Sequence, residues 1–247
     1  MAEENVRKQV NGAKKDSRRT AKICEYMTFS GREAFKRLRA NMMIALSSKQ
    51  GKVVGVTSAQ AAEGKSTVTI NLAYSLAELG GSVMLIDCDM RRPAIHDNVG
   101  ANQSPGLSDV LMGKVNLNDA VVTYRSSTDD TSYDIVTGGE IPDHPSELLN
   151  SGRFQKLIEV VSAAYDYVIL DLPPVGPVID AVVASKCTDG LLVVIRENHC
   201  PRFVLDDCMA QLKYAKANIL GFVLNGCVEG AEKRYQYNQK YAYSYGK

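Results

Sequence analysis

The architecture of this chain follows from the segment Val53-Val54-Gly55-Val56-Thr57-Ser58-Ala59-Gln60-Ala61-Ala62-Glu63-Gly64-Lys65-Ser66-Thr67. It contains a short apolar run that is typical of a buried strand, then a loop of small residues, then the start of a helix. The N–H groups at a helix start have no partner within the helix, and the helix dipole adds positive potential there. The segment therefore predicts an anion site between a strand and a helix.

The anion expected at this site is a polyphosphate. Gly64-Lys65-Ser66 provides a cation for the outer phosphates and a hydroxyl placed to ligate magnesium. The whole segment 59–67, called the phosphate loop below, is predicted to hold the phosphates: Ala59, Gln60, Ala61, Ala62, Glu63, Gly64, Lys65, Ser66 and Thr67. It departs once from the pattern G-x-x-x-x-G-K-[ST], because Ala59 stands at the first glycine, where alanine fits if its φ is negative.

The composition fits one large α/β domain without a strong overall charge. The chain has 247 residues, of which 45% are hydrophobic, and this is enough for a substantial core. The formal net charge is +1, so no global field would recruit nucleic acid or a membrane, and no nucleic-acid partner is expected.

The cysteines and the hydropathy indicate a cytoplasmic protein. The six cysteines form no C-x-x-C pair, which argues against a zinc site, an iron–sulfur site or a disulfide scaffold. The first residues lack the pattern of a signal segment, and no run approaches the roughly 20 apolar residues that span a bilayer.

The N-terminal part is predicted to comprise an arm and one helix. Residues 1–28 are polar and basic and are expected to be a flexible arm, either solvated or in contact with an acidic partner or an anionic membrane surface. Ser30 and Glu33 have capping-box spacing and predict a helix start. The apolar face of this helix is predicted to carry Phe35, Leu38, Met42 and Ala45. The opposite face is charged and carries Glu33, Lys36, Arg37 and Arg39. This charged face is either solvated or a subunit interface.

From residue 52 onward, strands are predicted to alternate with helices. The expected strands are 53–56, 83–86, 133–136, 167–170, 191–195 and 219–224. A helix is expected over 65–79 with Val68, Leu72, Leu76 and Leu79 facing inward, and two more are expected around Phe154–Val161 and Val204–Ala215. Residues 97–131 are assigned only a short helix near Gly106–Leu111. This alternation predicts a doubly wound, mostly parallel sheet with its ligand site at the carboxyl ends of the strands.

Three acidic residues follow two of these strands directly. Asp87 and Asp89 end one apolar run, and Asp171 ends another. Burying a carboxylate is costly unless it serves a purpose, and beside a nucleotide such groups hold magnesium or accept a proton. Together with the phosphate loop they indicate a magnesium–nucleotide site.

The motifs of the chain resemble those of the bacterial tyrosine kinases, or BY-kinases. The second strand has the form D-x-D-x-R, ending at Arg91, and Glu33–Arg39 fits E-x-x-R-x-x-R with Lys36 in place of the first arginine. Smaller matches are Gly106–Leu111, Pro145–Leu149, Tyr165–Asp171 and Gly221–Asn225. The resemblance is to the capsular or exopolysaccharide type, in which the cytoplasmic kinase is separate from its membrane adaptor.

The resemblance implies a P-loop fold like that of MinD and ParA, with Mg²⁺ and ATP as cofactors. The implied catalytic residues are Lys65, Asp87 and Asp89, and the implied metal ligands are Ser66, Asp87, Asp89 and Asp171. Asp87 would act as the base or orient the incoming tyrosine. Thr67 would reach the α-phosphate, Arg91 would lie beside the phosphates, and Asn225 would read the adenine.

The C-terminal residues hold an unusual number of tyrosines: Tyr235, Tyr237, Tyr241, Tyr243 and Tyr245. Alone, this pattern fits an edge strand or a stacking tail. Beside an ATP site it resembles the autophosphorylation cluster of a tyrosine kinase, which a neighbouring subunit modifies in trans. The domains expected are thus the arm 1–28, the kinase domain 29–230 with its interface helix, and the tail 231–247.

The resemblance also implies partners. These are the cytoplasmic end of a membrane-anchored polysaccharide co-polymerase, which would bring the kinase to the inner face of the membrane, a tyrosine phosphatase, and further copies of the chain. The copies would form a ring through Glu33, Lys36 and Arg39, expected to be an octamer.

Two other functions compete with this interpretation. A MinD/ParA-like partitioning ATPase has the same fold, but it would carry a lysine near the loop start, where this chain has Gln60, and it would lack the tyrosine cluster. The other is a scaffold that binds ATP and assembles without phosphotransfer.

Overall fold

The computed structural model describes residues 26–47 and 53–227. The strands are β1 Val53–Ser58, β2 Val83–Asp87, β3 Val121–Arg125, β4 Ser132–Val136, β5 Tyr167–Asp171, β6 Gly190–Arg196 and β7 Ile219–Asn225. The helices are α1 Phe29–Leu46, α2 Lys65–Ala77, α3 Ile95–Val99, α4 Leu107–Leu111, α5 Leu117–Ala120, α6 Pro145–Leu149, α7 Gly152–Ala164, α8 Asp180–Ala184 and α9 Arg202–Tyr214, with a 3-10 turn at Ser185–Cys187. The tail 231–247 and most of the arm 1–28 lie outside the described residues.

The strands form one seven-stranded sheet in the order β3-β4-β2-β5-β1-β6-β7. All neighbouring pairs are parallel except β3 with β4. The predicted doubly wound, mostly parallel sheet is therefore confirmed. Because β1 lies between β5 and β6, and β2 lies between β4 and β5, the predicted site residues after these strands share one edge of the sheet.

Two hydrophobic clusters cover the two faces of the sheet. One cluster contains side chains of α7 and α9, such as Phe154 and Leu212. The other packs α1 and α2 against the opposite face through Met42, Leu72 and Leu76. Every residue of β1 and β2 is buried, which explains why these strands are apolar throughout rather than alternating. The central strands are thereby fixed on both sides, and the loops at their carboxyl ends have a rigid base.

Strand β3 was not predicted. Its side chains are all at least partly exposed, and it pairs antiparallel with β4 at the edge of the sheet. An edge strand with little buried surface lacks the apolar run from which the other strands were predicted.

Several details of the predicted helices were wrong. The cap of α1 is Thr28, whose side chain accepts a hydrogen bond from the N–H of Gly31, so Ser30 lies inside the first turn. Ala45 is exposed rather than on the apolar face. Helix α2 ends at Ala77, and Leu79, beyond it, is 59% exposed. Among the described residues, no helix has the length and apolar character to cross a membrane.

Candidate nucleotide-binding site

The phosphate loop turns through two residues with positive φ. Gly64 caps α2 with φ +89°, a conformation that glycine adopts at no cost, and Ala62 has φ +65°. Ala59 is not among the residues of positive φ, so the missing first glycine is not required by the backbone. Ala59 is fully buried, and its carbonyl accepts the N–H of Gly176 at 3.0 Å. The sequence did not predict the strained position at Ala62.

Glu63 ties the phosphate loop to the ends of two strands. Its side chain is fully buried, and its carboxylate accepts the N–H of Gln60 at 2.8 Å and that of Arg196 at 3.3 Å. Its carbonyl accepts Nδ2 of Asn225 at 2.8 Å. The Glu63 side chain therefore stabilises the conformation of the loop. It also accepts the N–H of Gln60, a donor that was predicted to bind phosphate.

Asn225 lies against the loop as well as at the end of β7. A Cβ on Gly64 would collide with its Nδ2, so the glycine is needed for close approach as well as for its φ. The side chain that the resemblance assigned to adenine is thus engaged with the carbonyl of Glu63.

Lys65 is the centre of an acidic cluster. Its Nζ lies 2.7 Å from Oδ2 of Asp89 and 3.6 Å from Oδ2 of Asp171. Ser66 Oγ donates to Oδ2 of Asp171 at 2.6 Å, and Thr69 Oγ1 donates to Oδ1 of Asp171 at 3.1 Å. Residues from the phosphate loop and from the ends of β2 and β5 therefore meet at one point, as predicted from sequence. Thr69 was missed because it lies one turn into the helix.

Asp87 and Asp171 are neighbours in the register of β2 and β5. The carboxylate of Asp87 accepts three backbone N–H groups, from Asp89, Ala94 and Ile95, each at 3.1 Å. These bonds hold Asp87 in the turn that leads into α3. Burial, together with the charge of Asp171, raises the pKa of Asp87.

The pKa values of Lys65 and Asp171 are also perturbed. Burial alone would lower the pKa of Lys65, but the carboxylates of Asp171 and Asp89 outweigh it and raise that pKa above its ordinary value. Burial raises the pKa of Asp171, while Lys65 and the hydroxyl of Ser66 oppose the shift. Such strongly perturbed groups at the edge of a parallel sheet are typical of a functional site.

The oxygen atoms of the cluster suit a magnesium ion that also binds phosphate and water, rather than a metal ion whose ligands all come from the protein. In the part of the chain that the structure describes, no three His, Cys, Asp or Glu side chains form a group that could hold a metal ion. The cluster instead offers the hydroxyl of Ser66 beside the oxygens of Asp171 and Asp89. Magnesium prefers oxygen ligands and keeps several waters, so few protein ligands and a phosphate are enough.

Comparisons with known proteins identify the family of the chain. Residues 51–218 match the family model of the AAA domain. The tyrosine-protein kinase YwqD of Bacillus subtilis is 34% identical over 205 residues, which cover 83% of this chain and 85% of that protein. The chain belongs to the bacterial tyrosine-protein kinases. This membership confirms the resemblance found in the motifs.

Solved structures support the same family. The kinase domain of the Escherichia coli tyrosine kinase ETK superposes with a TM-score of 0.76 at 32% identity, covering 81% of this chain and 76% of that domain. MinD of Pyrococcus horikoshii, solved with Mg-ADP, gives a TM-score of 0.57 at 26% identity, covering 72% of each chain. The shared P-loop fold thus extends to MinD, while the closer sequence likeness is to tyrosine kinases.

One predicted site residue of the kinase has partners that were not foreseen. Arg91 follows Asp89 by two positions, but its guanidinium is bound to the buried carboxylate of Asp180, at 2.8 Å and 3.2 Å, and to Ser146 at 3.1 Å. Asp180 was not singled out, because it neither follows a strand nor belongs to a matched motif. Ser146 lies in the matched stretch Pro145–Leu149, but no role was assigned to it.

The predicted interface residues of the kinase divide into two kinds. Glu33 and Lys36 form an exposed ion pair at 3.0 Å, with 43% and 41% of the side chains accessible. Arg39 is buried against α2, where its Nη1 donates to the carbonyl and the hydroxyl of Ser75 and lies 3.5 Å from Glu78. The expectation that Arg39 lies on the exposed charged face was wrong. The five tail tyrosines lie outside the described residues.

Proposed function

We propose that this kinase transfers the γ-phosphoryl group of Mg-ATP to the tyrosines at positions 235–245 of a neighbouring copy of the chain. The observation that carries the proposal is the meeting of Lys65 with Asp89 and Asp171 at the phosphate loop. The tyrosine cluster near the C-terminus supplies acceptors on the same chain. Family membership makes tyrosine phosphorylation the chemistry to expect.

The phosphate loop binds the nucleotide in this proposal. Its N–H groups and the N-terminus of α2 receive the phosphates, and Thr67 reaches the α-phosphate. Lys65 exchanges its contact with Asp89 for the β- and γ-phosphate oxygens, where it stabilises the charge that develops during transfer. Ser66, whose hydroxyl is bonded to Asp171, would hold magnesium together with Asp171 and Asp89, and the ion would neutralise phosphate charge.

Asp87 acts on the acceptor in this proposal. It accepts the proton of the tyrosine hydroxyl or orients that hydroxyl toward the phosphorus. Its raised pKa, caused by burial and by Asp171, suits a group that takes up a proton during the reaction. The backbone N–H groups that bind its oxygens keep it in one orientation.

The biological setting proposed is the control of capsular or exopolysaccharide synthesis and export. A separate membrane-anchored adaptor would recruit the kinase to the inner face of the cell membrane, and a tyrosine phosphatase would reset the tail. The copies would assemble as a ring, an octamer, through the exposed pair Glu33–Lys36 on α1. Phosphates on the tail add negative charge and would weaken its docking in the next site.

Phosphopeptide mass spectrometry tests the proposal. Incubation with Mg-ATP should yield phosphotyrosine within residues 235–245. A verified ATP-binding, assembled sample without phosphotyrosine would instead support the nucleotide-regulated scaffold. Nucleotide-dependent assembly with ATP hydrolysis alone would favour the partitioning ATPase.

Mixing two variants tests transfer between subunits. One variant carries Lys65→Met with an intact tail, and the other carries an active site with all five tail tyrosines changed to phenylalanine. Tail phosphorylation of the Lys65→Met chain in the mixture, and in neither variant alone, is the expected result. A Lys65→Met tail that stays unphosphorylated in the mixture, under conditions where the wild-type protein phosphorylates its own tail, would contradict transfer in trans.

A further inference from the structure

Arg91, Asp180 and Ser146 form a bonded group at the edge of the nucleotide-binding site. The guanidinium of Arg91 makes a two-pronged contact with Asp180, Nε to Oδ2 at 2.8 Å and Nη2 to Oδ1 at 3.2 Å. Ser146 Oγ donates to Oδ1 of Asp180 at 2.5 Å and accepts from Nη2 of Arg91 at 3.1 Å. The three residues come from the turn after β2 and from α8 and α6, so the contacts bring separate parts of the chain together.

The burial of Asp180 is the feature that needs an explanation. Its side chain is 1% exposed, whereas that of Arg91 is 41% exposed. A buried ion pair gives little net stability compared with apolar side chains of the same size, because both charges lose their hydration. A carboxylate kept in the interior for an arginine at the surface is therefore better explained by the placement of the guanidinium than by stability.

The bonded group leaves one edge of the guanidinium free. Nε and Nη2 are used by Asp180 and Ser146, and in the part of the chain that the structure describes Nη1 donates to no protein atom. Arg91 stands two positions after Asp89, whose carboxylate binds Lys65 of the phosphate loop. The free Nη1 edge presents two N–H donors and a positive charge. The hydrogen bond to Asp180 raises the pKa of Arg91 and the charge of Asp89 adds to this effect, so the guanidinium lies within electrostatic reach of the acidic cluster.

We propose that Asp180, with Ser146, is a positioning residue that holds the guanidinium of Arg91 so that its Nη1 edge binds the phosphoryl group during transfer. This inference rests on the proposed phosphotransfer. An arginine already fixed at two nitrogen atoms loses less side-chain freedom when it meets the transition state than one that moves freely. Fixing the guanidinium should therefore raise kcat, while the affinity for ATP depends mainly on the phosphate loop.

A mutant cycle tests the inference, with Asp180→Asn, Arg91→Ala and the double variant in the full chain. Each of the three should lower kcat by roughly 10- to 100-fold and change KM for ATP by less than about 3-fold, and the double variant should be no worse than Arg91→Ala. Asp109→Asn is the matched control, because Asp109 is also a buried acid paired with a basic residue, Lys114, and its hydrogen bonds come from Ser104 and Gly106, which have no part in the proposed reaction. It should leave kcat unchanged.

Chemical rescue separates positioning from a structural role. Free guanidinium at millimolar concentration should restore part of the kcat of Arg91→Ala, and it should not do so when Asp180 is also changed. The inference would be overturned if the losses of kcat of the two single variants multiplied in the double variant. It would also be overturned if guanidinium restored the kcat of Arg91→Ala equally well with and without Asp180. If Asp180→Asn does not fold, Ser146→Ala replaces it, and its smaller loss of kcat should disappear in the Arg91→Ala background.

The wild type distinguishes this inference from the proposed function. Wild-type protein that binds and hydrolyses ATP without forming phosphotyrosine would overturn the proposed tyrosine transfer. The kcat of the same three variants would then be measured from their rate of ADP release. Wild-type phosphotyrosine combined with independent effects of Arg91 and Asp180 would overturn the positioning role alone.

Discussion

Lys65 Nζ lies 2.7 Å from Oδ2 of Asp89, so the lysine of the phosphate loop is paired with an acid from the turn after β2. The same nitrogen lies 3.6 Å from Asp171. Both side chains of the closer pair are largely buried, at 12% and 7% exposure. One lysine therefore holds together an acidic cluster that would otherwise repel itself.

The first prediction is that Lys65→Met affects stability as well as activity. It should abolish tail phosphorylation and lower the free energy of unfolding by about 3 kcal/mol, because buried carboxylates are left without their counter-charge. Urea unfolding monitored by circular dichroism measures the second effect. Lys156→Met, which removes an exposed lysine from an exposed pair with Glu159, should do neither.

A second substitution sharpens this test. Adding Asp89→Asn to Lys65→Met removes one of the unpaired charges and should recover part of the lost stability without restoring phosphorylation. A Lys65→Met protein as stable as the wild type would show that the cluster does not depend on the lysine.

The second prediction concerns Ala59, at the position where most phosphate loops have glycine. Ala59 does not have positive φ, so glycine would relieve no backbone strain there. Ala59 is also fully buried, so glycine would remove a buried methyl group. Ala59→Gly should lower the free energy of unfolding by about 1 kcal/mol, through added freedom of the unfolded chain and loss of a buried methyl group. Calorimetry of nucleotide binding should show no gain in ATP affinity. Tighter binding by the variant would mean that alanine constrains the loop.

Gly64→Ala provides the contrasting change in the same loop. Gly64 has φ +89°, and an added Cβ would collide with Asn225. Ala59→Gly should therefore leave nucleotide binding intact, whereas Gly64→Ala should weaken it strongly.

The sheet and the acidic cluster were predictable from sequence because their signals are local. A continuous apolar run identifies β2, and an acid at its end lies by necessity at the carboxyl edge of a parallel sheet. Strand β3 lacks such a run, since it lies at the edge with exposed side chains. Its pairing depends on β4, which follows in the chain.

The contacts that were missed join distant positions. Arg91 and Asp180 are 89 positions apart, and Glu63 and Asn225 are 162 apart. No motif relates such residues, and only the packing of the loops at the sheet edge brings them together. Arg39 shows the same limit, because its helix periodicity placed it among surface charges while the packing of α1 on α2 buries it.

The third prediction separates Arg39 from the other interface candidates. Arg39→Ala should lower the free energy of unfolding of the isolated subunit by about 2 kcal/mol, because Ser75 and Glu78 lose a buried donor. Lys36→Ala removes only an exposed pair with Glu33 and should leave that stability unchanged.

Light scattering completes the comparison of these two variants. Lys36→Ala should weaken assembly at unchanged subunit stability, which is the pattern expected of an interface residue. Unchanged stability of Arg39→Ala, measured under conditions where the protein is a monomer, would contradict the intramolecular role of the arginine.

The fourth prediction concerns acid stability. Tyr74, on α2, donates its hydroxyl to Asp129 at 2.6 Å. Burial would raise the pKa of Asp129, but the hydrogen bonds from Tyr74 and Thr131 outweigh it and lower this pKa to about 2 from its ordinary value of 3.8. A carboxyl group whose pKa is lowered by folding adds stability above its unfolded pKa, and this stability is lost as the pH falls toward the folded pKa. The relevant window is therefore between about pH 4 and pH 2.

Tyr74→Phe should make the unfolding free energy less dependent on pH in that window. At pH 7 the loss should reach at most about 1 kcal/mol, because Asp129 is exposed and water replaces part of the bond. Thermal unfolding at several pH values measures both effects, with Asp130→Asn as the control that removes a neighbouring carboxylate and keeps the Tyr74 bond. A wild type and a Tyr74→Phe variant that lose stability in parallel between pH 4 and pH 2 would show that the tyrosine does not set the ionisation of Asp129.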